Sequence, residues 1–340
     1  MIQPTRPTKG IYILGNDIVF DQVVALLNSI AANVGTQIPI LICPYDDRID
    51  RIRAEISQRP NVEIFDDQAA IARWDAFSSR IWHMHPKAQK EWQTENGFKL
   101  HRFGCHRRFP SLDGPFDHFI YLDADTLVLN SLENVFELLH RHPWVVYDFQ
   151  HKDPTHVFDV SSPKLAQYFS DDEIHRNIFC SGMYASRSGV FGPEQCDRLL
   201  QYLADGEIEL LYHMAPDQTI LNYMVMRSRI PVYNLAHELP SEKVTGCCVT
   251  SSHFEPDGYT LCDRGNPLTY LHYIGISSNV FSRLCAGENL NFPYRDLFLH
   301  YRYLHEPDQR PTFTGKAKPY NSPPTFRTKL LRKLGLVNIS

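Results

Sequence analysis

Near its start the chain alternates between two hydrophobic periods, and each switch predicts an element. "GIYIL" is a short apolar run ending at Gly15, Asn16 and Asp17; Phe20, Val23, Val24, Leu27, Ile30, Ala31 and Val34 then recur at helical spacing as far as Gly35. "IPILIC" predicts a second strand, Ile49, Ile52 and Ile56 an amphipathic helix, and "NVEIF" a third strand. This β-α-β-α-β order is that of a parallel, doubly wound sheet. Ligands of such sheets gather beyond the carboxyl ends of the strands, where Asn16 and Asp17, and then Tyr45, Asp46 and Asp47, fall.

From Trp74 to Arg108 the pattern loses its period and becomes rich in aromatic, basic and histidine residues, so this stretch is expected as an active-site flap or a mobile segment. Its Trp74, Trp82 and Trp92 suit either stacking on a ligand or packing. Next comes "FIYLDADTLVLN", a buried strand that delivers Asp123 and Asp125 with only Ala124 between them. Asn130 and Glu133 have capping-box spacing, and Leu132, Val135, Phe136 and Leu139 share a helical face, which puts the two aspartates in a strand-to-helix connection. Shorter strands follow "PWVVYDF", then a helix around residues 192 to 204 and a last strand in "PLTYLHYIG". From about residue 306 the chain is proline-rich and closes on the basic, amphipathic "TKLLRKLGL".

Composition narrows the classes. With 340 residues, 43% of them hydrophobic, the chain can bury a large core without a partner. A formal charge of -5 and a pI of 6.3 exclude the basic excess of a general nucleic-acid binder. The opening "MIQPTRPTKG" lacks the apolar centre of a signal peptide and no apolar run reaches membrane-spanning length, which reads as a cytoplasmic protein. Phe326, Leu330, Leu331 and Leu334, interleaved with basic residues, suit either peripheral contact with an anionic membrane or docking on the domain. The eight cysteines are scattered and expected reduced; Cys247 and Cys248, with His253 and Cys262 nearby, lack C-x-x-C spacing and read as strand-core thiols.

Two carboxylates after a buried strand call for a cation. Mg or Mn takes hard oxygen ligands, and it bridges phosphates with only one or two protein carboxylates. The plain alternative is an Asp-rich turn.

"YLDADTLVL" resembles the D-x-D signature of GT-A fold glycosyltransferases, particularly the family-eight group that includes glycogenin and bacterial galactosyltransferases. Three further stretches are similar in the same order: "FCSGMYASRSGVF" to the F-N-S-G segment, "DQTILN" to D-Q-x-x-L-N, and "HYIG" to a late H-x-x-G. Together they cover roughly residues 10 to 280. The resemblance implies an α/β GT-A, Rossmann-like fold with a mixed, mainly parallel central sheet flanked by helices. It implies a catalytic domain over 9–305, with a nucleotide-binding half at 9–130, an acceptor-side half at 131–305 and a tail at 306–340.

The resemblance also implies roles. Asp123, Asp125 and His272 would hold Mn or Mg, Asp123 also touching the ribose, with Ala124 between them in the same motif. Gly275 would let the backbone approach the diphosphate, and Gly15, Asn16 and Asp17 would receive the base and ribose of a UDP-sugar. A basic residue upstream of D-x-D would grip the donor; Arg107 or Arg108 occupies that region, Arg107 being preferred. Asp217 and Gln218 would face the anomeric carbon, Ser181 and Gly182 the acceptor side. Cys180 stands where the pattern has asparagine, which removes an amide that could bond the sugar.

The implied activity is transfer of a sugar, with retention of configuration, from a nucleotide sugar to the hydroxyl of a glycan, lipid, peptide or small metabolite. Asp217 is the nucleophile if a covalent intermediate forms, and a positioning group otherwise. Two other readings compete. A haloacid-dehalogenase-like phosphohydrolase would use Asp123 as nucleophile, but Leu127 departs from its pattern; a non-catalytic nucleotide- or sugar-binding module would not need Asp123, Asp125 and His272 together.

Overall fold

The structure, a computed structural model, describes residues 9–321. Its first part runs β1 (Lys9–Gly15), α1 (Phe20–Asn33), β2 (Ile40–Pro44), α2 (Asp50–Ile56) and β3 (Val62–Ile64), with the three strands paired in parallel. The chain then returns to the other side of β1 as β4 (His118–Asp123), again parallel, so that Asp123 lies beside Leu14. With β5 (Trp144–Val146), β6 (Met183–Arg187) and β7 (Val232–Asn234) it builds a seven-stranded sheet in the order β7-β5-β6-β4-β1-β2-β3. Only β6 runs against its neighbours, β4 and β5, so the sheet is mixed and mainly parallel.

Both faces of the sheet are covered, which is why its central strands read as unbroken apolar runs. In β4, Ile120 and Leu122 enter an aliphatic layer with Val23, Leu26 and Ile30 of α1, while Phe119 and Tyr121 enter an aromatic layer with Trp74, Trp144 and Tyr184. Tyr184 stacks between Tyr121 and Trp144, at ring-centroid distances of 4.9 and 5.0 Å. The reversal of strand order at the β1/β4 boundary opens a crevice beyond the carboxyl ends of those strands.

The stretch from Trp74 to Arg108 corrects the expectation of a flap. It continues α3 (Gln68–Met84), capped by the Asp67 carboxylate on the amides of Ala69 and Ala70, into a short helix at Pro86–Glu91 and a hairpin pairing Gln93–Thr94 with Gly97–Phe98. A long 3-10 run at Phe103–Asp113 follows. The stripe that buries α3 is Ala70, Ile71, Trp74, Phe77, Ser78, Ile81 and Trp82; its first turn precedes Trp74, and Ser78 interrupts its apolar character. All three tryptophans are buried and serve as packing anchors.

The proposed capping box is not formed either. The helix at Glu133–Leu138 begins after Leu132, the Ser131 hydroxyl accepts from the Glu133 amide, and the Asn130 side chain caps only its neighbour Ser131. A third apolar cluster, with Leu271, Tyr273, Phe281, Phe292 and Phe298, packs the later segments against α1, and Lys318–Pro319 pairs with Leu290–Asn291. The cysteines are all free thiols. No helix among the described residues is long and apolar enough to cross a membrane. Phe326 to Leu334, read as a membrane or docking segment, lie outside the described residues.

Candidate active site

Asp123 is the last residue of β4, and its amide donates to the Gly182 carbonyl at 2.8 Å. The next strand, Thr126–Val128, pairs antiparallel with Tyr270–His272, which sets His272 opposite Thr126; the Tyr273 amide closes the pairing on the Asp125 carbonyl at 2.8 Å. Backbone pairing alone therefore brings "DAD" and "HYIG" together. His272 Nε2 lies 3.3 Å from Asp125 Oδ1, and one ligand atom from each of Asp123, Asp125 and His272 falls within 4.8 Å of the others. Among the described residues this is the sole cluster of metal-ligating side chains, so the Cys247/Cys248 region holds none.

Electrostatics distinguish the two aspartates. Burial pushes the Asp123 carboxyl up, Arg108 opposes it, and the neighbouring Asp125 adds to the rise. Burial also acts on Asp125, but His272 outweighs it and holds that carboxyl low. Reciprocally, His272 loses basicity to burial and regains more from Asp125, so its pKa stands well above the ordinary histidine value. Two hard oxygens and one imidazole, crowded and partly charged, fit a divalent cation that would take the place of the proton between His272 and Asp125.

Arg108, not Arg107, reaches the aspartates. The Arg107 guanidinium is turned to Asp75, at 2.7 Å, whereas the buried Arg108 lies 3.0 Å from Asp123 Oδ1 and 2.9 Å from Asp217 Oδ2, and donates to the Ser181 carbonyl at 2.6 Å. Tyr121, two residues before Asp123 and so on the same face of β4, donates its hydroxyl to the same Oδ1 at 2.6 Å; that period-two relation was readable in the sequence. The choice between adjacent arginines was not, because they sit in a 3-10 run whose facing depends on its docking.

Asp217 lies in the first turn of the Pro216–Arg227 helix. Burial would raise its carboxyl, but Arg108, followed by His106 and Arg102, holds it below the usual range. Ser181 links the two halves of the site: its hydroxyl donates to Asp217 Oδ2 at 3.3 Å and its amide to Gln218 Oε1 at 3.0 Å. Asn222, one turn on, clamps the Phe179 backbone with two 2.9 Å bonds, and the buried Asp148 accepts from the Cys180 amide at 2.6 Å. These ties, which the sequence reading missed, fix the "FCSG" segment. Gly182 is not among the residues lining the two cavities that meet at this cluster; a Cβ there would stand 2.3 Å from His272 Cε1, so glycine makes room for the imidazole. Cys180 Sγ lies 4.0 Å from His272 Nδ1.

Two cavities meet at this cluster. One of about 390 Å³ is lined by Gly15, Asn16, Tyr45 and Ala124; the other, about 570 Å³, by Ser181, Asp217, Gln218, His272 and Gly275, the last at φ +81°. Arg102, Arg108, Asp123, Asp125, Ile276 and Ser278 line both. Asn16 bonds Asp46 at 3.0 Å. Asp17, by contrast, lies outside the lining and caps α2, accepting from the amides of Arg51 and Ile52 at 3.1 Å. A larger groove of about 750 Å³ beside α1 and α2 lacks any such ligand cluster.

No family profile and no curated protein sequence matches the chain. Among solved structures, it resembles the bifunctional glycosyltransferase WbbM in its apo form, with a TM-score of 0.54 at 15% identity over 92% of this chain and 53% of that one. It thus spans about half the length of that chain. Lower similarities include the galactosyltransferase LgtC with donor and acceptor sugar analogues, TM-score 0.49 at 13% identity over 85% of this chain and 99% of that one. GlyE of Streptococcus pneumoniae gives 0.43 at 12% identity, over 91% and 66%. The WbbM likeness and the sheet order establish the architecture, a GT-A type α/β fold; activity rests on the chemistry of the site.

Proposed function

We propose that the chain is a metal-dependent glycosyltransferase that moves a sugar from a nucleotide sugar, UDP-linked, to an acceptor hydroxyl with retention of configuration. The observation that carries this reading is the convergence of Asp123, Asp125 and His272 at the crevice of a GT-A fold, between two cavities of suitable size. Mn or Mg held by these residues would neutralise charge on the leaving diphosphate.

The protein's own groups divide the remaining work. Gly15 and Asn16 line the cavity assigned to the nucleoside, Asp217 and Gln218 the one assigned to the sugar. Arg108 keeps Asp217 ionised and, with Ser181, fixes its carboxylate, which suits either a nucleophile or a group that orients the sugar by hydrogen bonds. The phosphohydrolase reading is not favoured: the fold is like that of a glycosyltransferase, and Asp123 stands in a set of possible metal ligands with Asp125 and His272.

The test is a panel of UDP- and GDP-sugars, each with Mn or with EDTA, read by release of nucleoside diphosphate and by NMR of the product anomer. Turnover of a UDP-sugar that requires metal and gives a retained anomer supports the proposal; metal-independent release of inorganic phosphate instead would contradict it.

A further inference from the structure

A site for a metal and a diphosphate must balance charge, and the balance singles out one residue. Three arginines line the paired cavities: Arg48, Arg102 and Arg108. Arg48 is bound to Asp46, and Arg108 is spent on Asp123, Asp217 and the Ser181 carbonyl. Arg102 is different. Its side chain is exposed and makes no hydrogen bond or ion pair among the described residues, although Asp217 is near enough to favour its charge.

Its position is also unusual. Arg102 has φ +48° and ψ +37°, the left-handed region that a non-glycine residue adopts at a cost, immediately before the 3-10 run that carries Arg108. The side chain held there lines the nucleoside-side cavity and the sugar-side cavity alike, as do Asp123 and Asp125. In a nucleotide sugar the diphosphate is the part that joins nucleoside to sugar, so it must cross that junction. A divalent cation leaves a bound diphosphate with residual negative charge, and a guanidinium matches phosphate oxygens with two parallel donors.

Building on the nucleotide-sugar reading above, we propose that Arg102 is the diphosphate-binding guanidinium of this cleft, contacting the β-phosphate at the junction of the two cavities. Arg108 is thereby a positioning residue for Asp123 and Asp217, and Arg102 the cation that meets the ligand.

Calorimetric titration with UDP and UMP, and in parallel GDP and GMP, in Mn tests this on the wild type, Arg102→Gln and Arg102→Lys. Losing a charge-assisted hydrogen bond should weaken diphosphate binding roughly ten- to a hundredfold in Arg102→Gln, with monophosphate binding changed by less than about threefold. Arg102→Lys should recover part of the loss, and the unfolding midpoint should move little, because the side chain is exposed and makes no hydrogen bond or ion pair among the described residues. If the wild type binds the diphosphate and Arg102→Gln binds it equally well, or loses both ligands alike, the assignment is overturned. If the wild type binds neither nucleotide, it is the nucleotide-sugar reading of the cleft that falls.

Discussion

Arg108 makes the site's residue-scale energetics explicit, since one buried guanidinium serves both Asp123 and Asp217. Its removal in Arg108→Ala leaves the buried Asp217 and the half-buried Asp123 without their shared guanidinium and is expected to cost roughly 3–5 kcal/mol in urea denaturation. Arg108→Lys, which keeps the charge but not the fork, should cost less. Gly182→Ala probes the proposed metal site without replacing any of its ligands: the added Cβ would collide with His272, and a displaced imidazole should lower Mn affinity about ten- to a hundredfold while the fold persists. Mn binding followed by paramagnetic resonance measures this; unchanged affinity would mean that His272 can shift and still ligate. At this scale much was legible. Asp123, Asp125, His272, Asp217 and Gln218 were all named from short motifs, and the structure brings them together. Arg107 and Asp17 were not separable from their neighbours, because facing within a 3-10 run and capping of a distant helix are decided by docking, to which local sequence is blind.

At the scale of elements, strands with both faces buried and helices with a regular stripe were readable, whereas α3 was not. Its stripe mixes small, polar and aromatic residues, and bulky aromatics in such a stretch resemble ligand-stacking groups as much as core. Burial decides between these roles. Trp74→Ala is expected to lose roughly 3–5 kcal/mol of stability and to leave nucleotide affinity unchanged; a loss of acceptor saturation without a loss of stability would restore the stacking role. The missing capping box has a similar cause: Ser131 took the Glu133 amide, and the spacing of Asn130 and Glu133 could not exclude that competitor.

For the whole molecule, the sheet joins the regions 9–130 and 131–305 at its centre, where β4 pairs with β6 along five residue pairs, so the two should unfold together. Tyrosine and tryptophan fluorescence and far-UV dichroism are expected to give coincident urea transitions; separated transitions would show that each region holds its own core. The same joint carries the proposed chemistry, because β4 presents Asp123 while the chain leading into β6 presents Ser181 to Asp217 and Gln218. The central claim is that this joint is a metal-dependent nucleotide-sugar site. Calorimetry of UDP binding with Mn and with EDTA, on the wild type and on Asp125→Ala, tests it most directly. Binding that requires the metal and disappears in the variant is the predicted result; UDP binding indifferent to EDTA and to the substitution, or no binding at all, would contradict the account.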